Sequence, residues 1–205
     1  MADEGIILTH HYVSAPVCAP SRASFLLGLH QGHANVRDNQ FDKELDGNLT
    51  VANLLQKSGY YTAHVGKYGV AGGKNSNLDA HPLSRGFDEF FGYLFHGAGH
   101  EHYPQNGTTD KRAFLYEGLN PIDSGTDLTY TTDVFTARAK KIIVERQQHA
   151  DQPFFLYLAY DVPHFKMQIP STAYPEGRGM EGGIQWTGPE GTPPYVNTAT
   201  GSINS

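Results

Sequence analysis

After Pro153 the chain runs F-F-L-Y-L-A-Y (154–160), seven apolar or aromatic residues without interruption. A strand of alternating character can leave one face in water, but here both faces of the pleat are apolar. Such a run calls for a sheet with a layer packed on each side. Just before it, T-T-D-V-F-T-A-R-A-K-K-I-I-V-E-R-Q-Q-H (131–149) has a Thr/Asp start, apolar Val134, Phe135, Ala139, Ile142 and Ile143, and basic residues toward its end. That pattern predicts a helix. The same order occurs earlier. N-L-T-V-A-N-L-L-Q-K-S-G (48–59) predicts a helix with Leu49, Val51, Ala52, Leu54 and Leu55 on its apolar side and Gly59 as its cap. Y-Y-T-A-H-V-G-K (60–67), aromatic and β-branched, predicts a strand ending at Lys67. Helix, strand, helix, strand implies an α/β fold with a mainly parallel sheet.

In sheets of that kind the ligand crevice lies beyond the carboxyl ends of the strands. Lys67 ends one predicted strand, and His164, in D-V-P-H, follows the other. Residues 69–129, rich in Gly, Asn, Asp, His and Pro, read as a loop-rich insertion lining that crevice. Residues 171–205 read as a loop-rich tail, and 1–205 as parts of one domain.

The charge balance, 15 basic against 21 acidic side chains for a net −6, excludes nucleic acid as the natural partner. No apolar run reaches the roughly 20 residues of a membrane-spanning helix, and the first residues lack a basic start followed by an apolar stretch. No export signal is therefore expected in this chain.

The one cysteine, Cys18, excludes an intrachain disulfide. It stands in C-A-P-S-R (18–22), ahead of a short apolar helix predicted over 20–30 with Pro20 at its first position and Phe25, Leu26 and Leu29 as its apolar residues. There the backbone N–H groups and the helix dipole favour an anion. A lone cysteine is by default a small buried hydrophobe. The proline, serine and arginine that follow favour a reactive one.

Four ordered stretches resemble type I sulfatases. C-A-P-S-R (18–22) is similar to the C-x-P-S-R signature, whose cysteine is oxidised to formylglycine. G-Y-Y-T-A-H-V-G-K-Y (59–68) resembles the second signature, R-G-F-D-E-F-F-G-Y (85–93) a common third segment, and P-F-F-L-Y-L-A-Y-D-V-P-H (153–164) the strand that delivers an active-site histidine. The resemblance implies an alkaline-phosphatase-like three-layer α/β sandwich, incomplete at both ends. It implies hydrolysis of a sulfate monoester, on a carbohydrate or a small molecule, with Ca2+ in the complete enzyme. Residue 18, as formylglycine, would be nucleophile and metal ligand. Arg22 would steady it, Lys67 would hold sulfate oxygens, and His164 would hold sulfate or protonate the departing alcohol. A formylglycine-generating enzyme or anaerobic maturase is the implied partner, and periplasm or exterior the implied compartment of the parent.

Departures from the pattern carry information too. Gly69 stands where many members have histidine, so His100 in G-A-G-H-E-H-Y-P (97–104) is the expected substitute, with His102 second. Leu27 and Leu29 replace a threonine and an arginine frequent after the core motif. The family's Asp-Asp pair, its S-D-N-G metal ligands and a distal lysine have no counterpart, so the chain reads as an internal fragment with little activity of its own. Two other readings are a phosphomonoesterase or phosphodiesterase of the same superfamily and a non-catalytic sulfatase-like domain. His30 and His33 alone offer too few ligands for a metal.

Overall fold

A computed structural model describes residues 4–47, 49–73, 78–102, 114–122 and 130–164, together with the backbone of 196–197 and 202–203. Three α-helices, α1 (Cys18–Leu27), α2 (Val51–Lys57) and α3 (Thr131–Gln147), accompany a five-stranded sheet. Its strands are β1 (Tyr61–Lys67), β2 (Glu89–Tyr93), β3 (Leu115–Glu117), β4 (Asn120–Ile122) and β5 (Phe154–Ala159), in the spatial order β4-β3-β2-β1-β5. β1 runs parallel to both β2 and β5, while β3 and β4 pair antiparallel at the far edge.

The period of two decides which face each side chain joins. From β1, Ala63 and Val65 point one way, with Phe91 and Tyr93 of β2 and Leu156 and Leu158 of β5, onto Phe135 and Ile142 of α3. On the opposite face Phe90, Phe155 and Tyr157 meet Ala19, Ala23 and Leu26 of α1 and Ala52 of α2. The sheet is thus sandwiched between α1/α2 and α3, the two-sided cover that the apolar run at 154–160 calls for. Arg138 ties α3 to the sheet through Glu89 (2.7 Å) and Glu117 (2.8 Å).

Glycines allow the three parallel strands to approach at one level. Gly66 (φ 110°) pairs with Gly92 (φ 149°) on one side and Ala159 on the other. A Cβ on Gly66 would stand 2.1 Å from the Ala159 carbonyl oxygen, and one on Gly92 would stand 1.9 Å from that of Gly66. Neither position has room for a side chain.

Two expectations change, the content of 69–129 and the start of α1. The region 69–129, read as a loop-rich insertion, supplies β2, β3 and β4, because E-F-F-G-Y is short but apolar enough to pair with β1. The sheet keeps the expected parallel core, β2-β1-β5, and carries antiparallel pairs at the β3-β4 edge. Among the described residues β5 pairs only with β1, so it is an edge strand whose Phe155–Leu158 side chains are half-buried. And α1 begins at Cys18, not after it, with Val17 as N-cap. Pro20 falls third in the helix, still among the first four residues whose N–H has no helical acceptor. Of the tail, 171–195 lies outside the described residues, and a two-residue pair, β6 (Val196–Asn197) with β7 (Ser202–Ile203), follows.

Candidate active site

The carboxyl ends of β1, β2 and β5 open on one edge, and α1 starts there. Cys18 occupies the first helical position, half-buried. Asn39 Oδ1 fixes the turn by accepting from the Ala19 N–H (3.1 Å), and it lies 3.7 Å from the Cys18 sulfur. On the other side of the sulfur stands His96 Nδ1, also at 3.7 Å. Burial would push the thiol up. Hydrogen bonding from His100 and His96 and the charge of Lys67 outweigh it, bringing the group from 9.0 down to about 4. At neutral pH residue 18 is a thiolate.

Lys67, the last residue of β1, is 1% exposed, and its Nζ has no hydrogen-bond partner. Burial brings its ammonium down to about 8, with Arg22 pulling the same way and the Cys18 and Asp161 charges opposing. A buried ammonium with no bonded partner is prepared for an anion. Arg22, one turn along α1 from Cys18, donates through Nη1 to the Lys67 carbonyl, so helix and strand end are clamped together. Its Nε is buried without a partner. Gly69, at φ 75°, passes beside both side chains, and a Cβ there would lie 3.5 Å from Arg22 Cδ and 3.5 Å from Lys67 Cε.

The histidines follow β2 and β5. His100 stacks on His164, with ring centroids 4.3 Å apart and planes at 11°, and His96 meets His100 edge-on at 5.4 Å. His100 Nε2 and His164 Nδ1 are buried without partners. Burial lowers His164, and His100 and Lys67 lower it further, so its ring is neutral at pH 7. His102, the second choice in the sequence, lies elsewhere. It is 1% exposed and bonds Asp161 through Nδ1 (3.1 Å), and Thr131 Oγ1 donates to the same carboxylate oxygen (2.9 Å). This buried triad holds the 94–102 loop against β5 and α3.

All five residues singled out in the sequence, Cys18, Arg22, Lys67, His100 and His164, therefore converge. Two neighbours were missed, His96 and Asn39. The signal for His96 was available: it follows β2 on the same sheet edge as Lys67 and His164. Asn39 carries no comparable mark, since its place depends on how 30–42 folds back over α1. His30 and His33 lie near each other, 4.5 Å between ring centroids, but outside this cluster. Beside Cys18 an open pocket of about 300 Å³ is lined by Ser21, Arg22, Phe25, Tyr157 and Ala159. Phe25, one of the apolar residues of α1, is half-exposed there, stacked on Tyr157 at 4.9 Å.

The family model described as "Sulfatase" matches residues 1–200. The chain belongs to the sulfatase family. Arylsulfatase J of Mus musculus is 32% identical over 187 residues, covering 88% of this chain and 30% of the relative. N-acetylgalactosamine-6-sulfatase of Mus musculus is 31% identical over 183 residues, 80% of this chain and 34% of the relative. This sulfatase chain thus spans about a third of their length. Among solved structures, Ps i-CgsB in complex with k-i-k-neocarrahexaose superposes with a TM-score of 0.54 at 26% identity, over 80% of this chain and 37% of that one. The α/β sandwich is that of sulfatases with the alkaline-phosphatase-like fold.

Proposed function

We propose that this chain carries the nucleophile and the sulfate-holding side of a sulfuric ester hydrolase acting on a sulfated carbohydrate. The observation that supports it best is the unpaired, buried Lys67 ammonium facing Cys18 beside His96, His100 and His164. A sulfate monoester brings one negative charge and several acceptor oxygens to a space lined by cationic and N–H groups.

Each side chain has a task set by its surroundings. Lys67 holds a sulfate oxygen by charge, without the hydration that would weaken it in water. Arg22 acts through the backbone: it clamps Lys67 to α1 and so sets the distance between ammonium and residue 18. His164, neutral, donates one ring N–H to a sulfate oxygen, and its small protonated fraction delivers the proton to the departing alcohol. His100 stacks on it and fixes its plane. Converted to formylglycine by a maturase, residue 18 would offer as its hydrate one hydroxyl to attack sulfur and a second whose deprotonation expels sulfate.

Calcium fits the described residues poorly. It binds 6–8 oxygen ligands, whereas the one group of three metal-competent side chains among the described residues is Cys18, His96 and His100. A Ca2+ site of the family's kind would draw its carboxylates from other residues, and the described part alone is expected to turn over little. The carbohydrate assignment rests on relatives: one is an N-acetylgalactosamine-6-sulfatase, another was solved with k-i-k-neocarrahexaose. An exported or periplasmic full-length protein fits that substrate; among the described residues no helix is long and apolar enough to cross a membrane.

The test uses the full-length protein coexpressed with a formylglycine-generating enzyme. Peptide mass should show an aldehyde at residue 18, and aryl sulfate should be turned over faster than aryl phosphate. A persistent thiol with faster phosphate cleavage would favour the phosphoesterase reading instead.

A further inference from the structure

Cys18, His96 and His100 present three metal-competent atoms, a sulfur and two ring nitrogens, all within 4.8 Å of one another. Zinc binds thiolate at about 2.3 Å and imidazole at about 2.0 Å, so a tetrahedral site sets sulfur and nitrogen roughly 3.5 Å apart. The Cys18 sulfur and His96 Nδ1 already stand at 3.7 Å, and the third ligand needs about an ångström of side-chain adjustment. The donors come from the first turn of α1 and from the segment after β2, which His102 ties to Asp161. His100 Nε2 is buried and unpartnered, while its ring is held by stacking on His164.

We propose that the unconverted, thiol form of this protein binds a thiophilic divalent cation, Zn2+ by preference, through Cys18, His96 and His100. Two imidazoles and a thiolate with one open position match zinc chemistry and disfavour calcium or magnesium, which take oxygen donors. The Lys67 charge nearby opposes a dication, so affinity falls short of a closed four-ligand structural site. The consequence is chemical: a sulfur held by the metal is shielded from alkylation and oxidation. This inference uses residue 18 as encoded and is independent of the hydrolytic reading.

The full chain, produced without any formylglycine-forming enzyme and verified as the thiol, is titrated with Co2+ as spectroscopic probe and then with Zn2+. One Co2+ per chain should bind, with a thiolate-to-cobalt charge-transfer band and the visible absorption of a tetrahedral centre, and Zn2+ should displace it. Cys18→Ser, or alkylation of Cys18 in the folded wild type, should remove the band. His96→Ala and His100→Ala should each weaken binding at least about 10-fold, the lower end of what even an outer-shell loss costs. His33→Ala, outside the cluster, should change nothing. Lack of stoichiometric binding by the wild type, or a band that survives both Cys18→Ser and the double His96/His100 variant, would overturn the proposal.

Discussion

At Cys18, a thiol half-buried at a helix start would ordinarily be protonated at pH 7, yet two imidazoles and an ammonium bring it to about 4. Alkylation by iodoacetamide should therefore stay near its plateau from about pH 5 to pH 8 and decline only below that, whereas an unperturbed thiol would accelerate tenfold per pH unit across the range. Mass-resolved labelling against pH distinguishes the two. Lys67 makes a second prediction. In its proposed role of holding sulfate the ammonium must be charged, and burial lowers its ordinary value to about 8, so kcat/KM of the full-length enzyme should fall as pH rises through that region. Conversion of Cys18 removes a negative charge that helps keep Lys67 protonated, which moves the fall to lower pH. Asp161→Asn removes another and should move it lower again. A merely structural role for Asp161 would reduce activity without shifting the profile. Lys67→Met should lower kcat by about 10²–10³-fold, as for loss of one preorganised electrostatic contact.

Elements place these residues, and their energetics can be tested separately. In α2, Thr50 accepts from the Asn53 N–H while Asn53 Oδ1 accepts from the Thr50 N–H, a reciprocal cap; Thr50 Oγ1 also donates to the Arg85 carbonyl at 2.6 Å. Thr50→Ala should destabilise by about 1 kcal/mol, or somewhat more for the added tertiary bond, as measured by urea unfolding. β1 carries His64 fully buried among Tyr68, Phe87, Phe90 and Tyr157, with neither ring nitrogen bonded. Burial holds it well below its ordinary 6.5, so the folded ring stays neutral while the unfolded one takes a proton. Stability is thus full above about pH 6.5 and is lost as pH falls, at up to about 1.4 kcal/mol per pH unit from this one group. His64→Leu should flatten that acid slope. Helix and strand positions were legible because their apolar periods are strong: β1 ends at Lys67 as expected, and α3 and β5 fall where 131–149 and 154–160 place them. The cap at Thr50 was not read, since N-L-T-V-A-N offers Asn48 and Thr50 as alternative starts. β2 was half-read, because five residues among glycines and histidines resemble a loop until β1 supplies a partner.

On the scale of the whole molecule, the sheet edge is the feature the sequence conveyed best. Two strand ends and a helix start were enough to bring Cys18, Arg22, Lys67 and His164 together, because parallel strands deliver their following residues to one side. The ranking of His100 ahead of His102 came from the family resemblance, and its physical reason was not legible in the sequence. Both lie in one loop, and only the buried carboxylate of Asp161 with Thr131 decides which histidine turns inward to brace and which faces Cys18. The proposed sulfate-ester cleavage depends on residue 18. Turnover of a sulfate ester by the matured full-length protein, wild type against Cys18→Ala, tests it most directly. Cleavage by the wild type and a fall to background in the variant are expected; a Cys18→Ala protein that retained the wild-type rate would exclude residue 18 as the nucleophile.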